Sequence, residues 1–104
     1  MTWIDTHCHL DQPALFEKIE RVIKNSIKSD IEGIVVPSVS PENVNEVINI
    51  SQRFDLCSLA LGFHPFFSDR VKDEDFKILS LLLIEHDAVA VSYTHLTLPT
   101  ILLV

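Results

Sequence analysis

A chain of 104 residues, 47% of them apolar, can bury a modest core as one small domain and is not disordered by composition. Its net charge of −7 and pI near 5.0 argue against a general phosphate-binding surface, so a nucleic-acid substrate would have to be held by metal ions or by basic surface that this stretch lacks. Cys8 and Cys57 are far apart and neither belongs to a Cys-X-X-Cys pair, which disfavours a structural zinc site or a disulfide framework and predicts reduced, buried thiols.

The first informative stretch is Trp-Ile-Asp-Thr-His-Cys-His-Leu-Asp, Trp3 to Asp11. It reads as a short apolar strand whose end carries two imidazoles two residues apart. Alternate side chains of a strand share a face, so His7 and His9 are expected to point the same way and Cys8 the other. Neutral imidazole nitrogens that converge suit a divalent first-row cation such as zinc, although His-X-His also arises by chance in polar strand ends. Asp5 has the parity of the histidines and could orient one of them, while Asp11 lies just beyond, in the following loop.

Pro13 then opens a segment with Leu15, Phe16, Ile19, Val22, Ile23 and Ile27 at helical spacing, which predicts one helix with Pro in the first turn. Ile31 to Val36, between Asp30 and Pro37, has the β-branched, near-continuous apolarity of a strand buried on both faces. Ser40 offers an N-cap to a second helix, with Pro41 and Glu42 behind it and Val44, Val47 and Ile48 down one side toward Arg53. Leu56 to Gly62 predicts a third strand, ending in Gly62-Phe63-His64-Pro65, so that another histidine stands at a strand's C-terminal end. A polar loop through Asp69, Arg70 and Lys72 leads to an acidic first turn, Asp73 to Asp75, and a third helix with Phe76, Leu79, Leu82 and Leu83 inward, ending near His86.

Ala88 to Val91 begins a fourth strand. Strands thus recur about every 25 to 30 residues with helices between them, the pattern of βαβ units and a parallel sheet. No basic leader, secretion signal or apolar run of roughly 18 residues is visible, so no membrane association and a cytoplasmic location are expected. Ser92 to Val104 differs from what precedes it. It holds no Asp, Glu, Lys or Arg and lacks the helix that a fourth strand should feed, so residues 92–104 read as a tail foreign to, or frame-shifted from, residues 1–91.

The Ile-Asp-Thr-His-Cys-His-Leu-Asp start, the Ile-Val-Val-Pro-Ser-Val strand, the Leu-Gly-Phe-His-Pro turn and their spacing together resemble the TatD family of metal-dependent hydrolases. The resemblance covers Met1 to about Val91. It implies an incomplete (β/α)₈ TIM barrel, about three βα units plus a fourth strand, of a fold that needs roughly 250 residues when whole and carries its active site at the C-terminal ends of the strands. It further implies a phosphodiesterase, most often a deoxyribonuclease of the 3′ exonuclease type, using one or two divalent cations (Zn, Mg or Mn). By the family pattern His7 and His9 are metal ligands and His64 lies near the substrate phosphate, where it can donate a hydrogen bond or proton. A His64 that merely caps its own loop is the competing reading.

The departures from the pattern matter as much. The family's fourth strand continues Gly-Glu-Ile-Gly-Leu-Asp, supplying a metal-bridging Glu, and later strands add two histidines and an Asp. Here Ser92-Tyr93-Thr94-His95 stands at that point, and His95 matches no family ligand. The expectation is therefore a chain inactive alone, with an open concave sheet face bearing His7, His9 and His64, three helices on the convex side, and exposed sheet edges prone to self-association. The alternatives are a non-catalytic remnant or assembly artefact, and an amidohydrolase or phosphoesterase acting on a small metabolite. DNA or another phosphodiester is the expected partner of the complete protein. Cys8 and Cys57 read as core residues without chemistry, and His86 as a favourable contact with a helix C-terminus.

Overall fold

The computed structural model describes residues 1–91; the tail expected at 92–104, with His95, lies outside the described residues. The elements in chain order are β1 (Trp3–Asp5), α1 (Pro13–Phe16), α2 (Ile19–Lys28), β2 (Ile31–Pro37), α3 (Val44–Arg53), β3 (Cys57–Leu61), a 3₁₀ helix (Pro65–Arg70), α4 (Asp73–Glu85) and β4 (Ala90–Val91). All strand pairings are parallel, the sheet order is β1-β2-β3-β4, and the sheet curls as half of a barrel.

Pairing in register explains the two faces. Ile34 stands beside Cys57 and Val36 beside Leu59, and these residues with Leu61 are buried in the same core as Ile19 and Ile23 of α2, Val44, Val47, Ile48 and Ile50 of α3, and Leu79 of α4. A fully buried aliphatic side chain of this size contributes on the order of 2 kcal/mol, so the sheet's stability is concentrated on this side. The alternate positions Val35 and Ser58, paired side by side, and Ala60 lie on the other face. β1 and β4 each have one strand neighbour in the described sheet, and Trp3 and Ile4 on β1 are exposed.

Three local outcomes differ from the sequence reading. The first predicted helix is broken at Glu17 and Lys18, because the chain tightens to i−3 bonds there: Leu15 donates to the Gln12 carbonyl and Lys18 to that of Leu15, both across three residues. The second begins at Val44 rather than behind Ser40, because the Asn43 side-chain oxygen takes the main-chain N–H groups of Val39 and Ser40 and ties the preceding segment into a turn. The predicted polar loop contains the 3₁₀ helix Pro65–Arg70. α2 and α4 both hand over to the next strand through an aspartate in the left-handed region, Asp30 (φ 62°) and Asp87 (φ 51°), the position usually given to Gly.

Candidate metal centre

The residues of interest gather at the C-terminal ends of β1, β2 and β3. β1 stops earlier than the sequence suggests, at Asp5, because the Asp5 carboxylate accepts the main-chain N–H of His7 at 3.1 Å. This is an Asx turn, which diverts that N–H from the strand ladder. One further link, Cys8 N–H to the Val35 carbonyl at 3.0 Å, keeps the chain against β2 beyond it. His7 and His9 thus lie past the strand, and their convergence comes from the turn rather than from strand parity. Asp5 engages His7 through its backbone N–H. Cys8, as expected, packs toward the core.

The two rings stand edge to face, with centroids 4.8 Å apart and planes at 86°, and the Nε2 atoms are 3.1 Å from each other. Two imidazole nitrogens about 2.05 Å from one cation would be about 2.9 Å apart at a right angle and about 3.3 Å apart in a tetrahedron. The observed separation falls between these values. The pair therefore fits as half of a divalent-metal ligand set. Among the described residues no third His, Cys, Asp or Glu completes it. The His9 imidazolium is disfavoured, first by burial and then by the neighbouring His7, with a smaller contribution from His64; the Asp11 charge and the Pro37 carbonyl act in the opposite sense. The net result holds His9 in the neutral form that ligates.

His64 is carried by the turn after β3, and a buried hydroxyl anchors that turn. Ser38, fully buried at the end of β2, donates from Oγ to the Gly62 carbonyl at 2.8 Å and accepts the Gly62 N–H at 2.9 Å. The His64 N–H is bound to the Val39 carbonyl, and Phe63 is buried edge to face against Phe76 of α4, 5.5 Å between centroids. The His64 ring does cap its own loop, accepting the Phe66 N–H on Nδ1 at 3.1 Å. Cap and chemistry are compatible, because an accepting Nδ1 places the ring proton on Nε2. Ser38 and Asn43 were missed by the sequence reading. The Ser38 signal was the Pro-Ser pair at a strand end opposite a Gly; for Asn43 no sequence signal separates it from an ordinary helix N-terminus.

Asp11 is buried, receives the Asn43 amide on Oδ2 at 2.8 Å, and approaches the Gln12 amide at 3.5 Å. Cys57 sits in the core, where burial and then the nearby Cys8 push its thiol up to about 11; burial, and then Asp5, raise Cys8 as well. Thiols held protonated in this way are poor nucleophiles and poor ligands.

Residues 4–94 match the family described as TatD related DNase. Over 71 residues the chain is 30% identical to the uncharacterized metal-dependent hydrolase YjjV of Escherichia coli, covering 68% of this chain and 27% of YjjV. Over 87 residues it is 25% identical to the uncharacterized metal-dependent hydrolase YabD of Bacillus subtilis, covering 84% of this chain and 34% of YabD. The crystal structure of the E. coli TatD homologue YjjV superposes with a TM-score of 0.74 at 28% identity, covering 80% of this chain and 32% of that one. The chain thus spans about a third, or less, of the length of the relatives it matches.

Proposed function

Because this chain belongs to the TatD family of metal-dependent hydrolases, we propose that it supplies the His7–His9 half of a divalent-metal centre for phosphodiester hydrolysis, with DNA trimmed from a 3′ end as the substrate. The observation that carries this reading is the 3.1 Å approach of the two Nε2 atoms, a spacing suited to one shared cation. When bound, such a cation supplies Lewis-acid polarisation of a phosphoryl oxygen and lowers the pKa of a bound water toward neutrality.

The residues of the chain have separate tasks. His7 and His9 offer their Nε2 lone pairs, and the burial of His9 keeps it neutral for that purpose. His64, with Nδ1 engaged by the Phe66 N–H, presents its proton on Nε2 and donates it to a phosphate oxygen or a leaving oxygen. Ser38 fixes the turn that carries His64. The remaining ligands implied by the family are a carboxylate and further histidines from later strands, and Ser92-Tyr93-Thr94-His95 stands where the carboxylate-bearing strand would run. The 104 residues accordingly lack activity by themselves, and the β1 and β4 edges, each with one strand neighbour among the described residues, favour self-association.

Titration of the chain with zinc or manganese tests the reading. Weak binding that disappears in the His7→Ala/His9→Ala variant is expected; tight stoichiometric binding that survives the double substitution overturns it. With 3′-labelled DNA and magnesium, manganese or zinc, the chain should fall several orders of magnitude below a full-length relative, on the order of the loss expected when positioning and charge neutralisation are incomplete. The net charge of −7 favours a second reading, a small phosphate ester or amide as substrate, which predicts that the full-length relative hydrolyses such compounds and leaves DNA intact.

A further inference from the structure

Among the described residues, the buried side-chain polar atoms without a hydrogen-bond partner are His9 Nδ1 and Asp11 Oδ1. They belong to one loop, two residues apart, and the Asp11 charge acts on the His9 ring in the same sense as the Pro37 carbonyl. One is the nitrogen of an imidazole that can donate; the other is an oxygen that can only accept. Leaving such atoms unpaired in the interior is costly, so a buried pair of opposite hydrogen-bonding sense is complementary rather than accidental.

The position of Asp11 is set from elsewhere in the chain. Asn43, 32 residues further on, donates from Nδ2 to Asp11 Oδ2 at 2.8 Å, while its own Oδ1 takes the N–H groups of Val39 at 3.0 Å and Ser40 at 3.1 Å. The carbonyl of the same Val39 holds the His64 N–H. One amide side chain therefore ties the loop after β1 to the loop after β2, at the same residue whose carbonyl holds the turn after β3.

We infer that Asn43 is a positioning residue for the metal pair, acting through Asp11: it holds the Asp11 carboxylate so that Oδ1 takes the Nδ1 proton of His9 and the His9 Nε2 lone pair is left for the cation. A ligating histidine whose second nitrogen is bound by a carboxylate has its tautomer and orientation fixed, and losing such a partner typically costs roughly ten- to a hundredfold in metal affinity. The inference rests on the reading of His7 and His9 as ligands.

Two near-isosteric variants test it in the full 104-residue chain. Asn43→Asp keeps an acceptor for the Val39 and Ser40 N–H groups but loses the donor to Asp11 and sets a like charge against it. Asp11→Asn keeps an acceptor for Asn43 but can present an N–H to His9, which reverses the tautomer and puts the ring proton on Nε2. The tautomer is read directly from the ¹⁵N shifts of the His9 ring at a pH where it is neutral, and zinc affinity from competition with a chelating dye. Expected are an Nδ1–H tautomer in the natural sequence, a shift toward Nε2–H in both variants, and zinc affinity lower by roughly ten- to a hundredfold. An unchanged tautomer and unchanged affinity in Asp11→Asn overturn the inference. Should Asn43→Asp fail to fold, Asp11→Asn alone decides. His7→Ala run in parallel separates the two levels: if it leaves zinc binding intact, the ligand reading itself fails, whereas loss of zinc in His7→Ala with none in the Asp11 and Asn43 variants defeats only the positioning role.

Discussion

The turn that carries His64 is held from every side, by the Ser38 hydroxyl gripping both polar groups of Gly62, by the Val39 carbonyl on the His64 N–H and by Phe63 sunk against Phe76. The loop that carries His7 and His9 is held through Asp5 and the Val35 carbonyl on one side, fully buried Leu10 in its middle and Asn43 on the other, while among the described residues His9 Nδ1 and Asp11 Oδ1 inside it remain unpaired. The contrast follows from what each histidine is proposed to meet. A group that donates a hydrogen bond to an incoming phosphate is best finished in advance, since preorganised donors need no reorganisation during the reaction. In the arm proposed to hold a cation, two buried polar atoms keep open valences for the proposed Asp11–His9 contact.

The contrast is broken or sharpened most strongly at Ser38. Ser38→Ala removes a buried donor and acceptor at once and strands the Gly62 N–H and carbonyl, so a loss of about 2 to 3 kcal/mol in urea unfolding is expected. A loss under about 0.5 kcal/mol would mean that the turn is held by something else and that the two arms are alike. Asp5→Ala should cost less, about 0.5 to 1 kcal/mol, because an exposed Asx turn is replaced in part by water, and Asp5→Asn should restore most of it. Loss of hydrogen-exchange protection at the His7 amide in Asp5→Ala alone would locate the effect.

The smallest expected effect is a pH dependence confined to the His7–His9 arm. The folded state disfavours protonated His9, chiefly by burial, so around the ordinary imidazole range the unfolded chain binds more protons there than the folded one. That contribution to stability is present above about pH 6.5 and is lost as the pH falls below it. Urea midpoints measured on either side of that range should diverge in the natural sequence and draw together in His9→Gln. If the slope persists in His9→Gln, another group carries it.

The strand–helix alternation, the parallel sheet and the acidic start of α4 were all legible, because they rest on hydrophobic period and first-turn charge, which are local properties of the chain. The convergence of His7 and His9 was legible too, but for an incomplete reason. Strand parity pointed to it, whereas the Asp5 Asx turn ends the strand and brings the rings together; an Asp two residues before a polar position was the available signal. What could not be read were contacts between distant segments. Asn43 looks in sequence like any residue ahead of a helix, and only the fold sets it against Asp11, 32 residues earlier. The break between α1 and α2 was missed because periodicity registers which residues face inward and is blind to a turn that tightens without changing face.

Cys57 offers an unlabelled clock for the molecule's own breathing. Its thiol lies at the seam of sheet and helices, buried and held protonated up to about 11, so a thiol reagent reaches it only when β3 parts from its cover. Alkylation of Cys57 followed by mass at rising reagent concentration therefore reports the frequency of that opening. Half-exposed Cys8 in the same chain serves as the internal reference for reagent access.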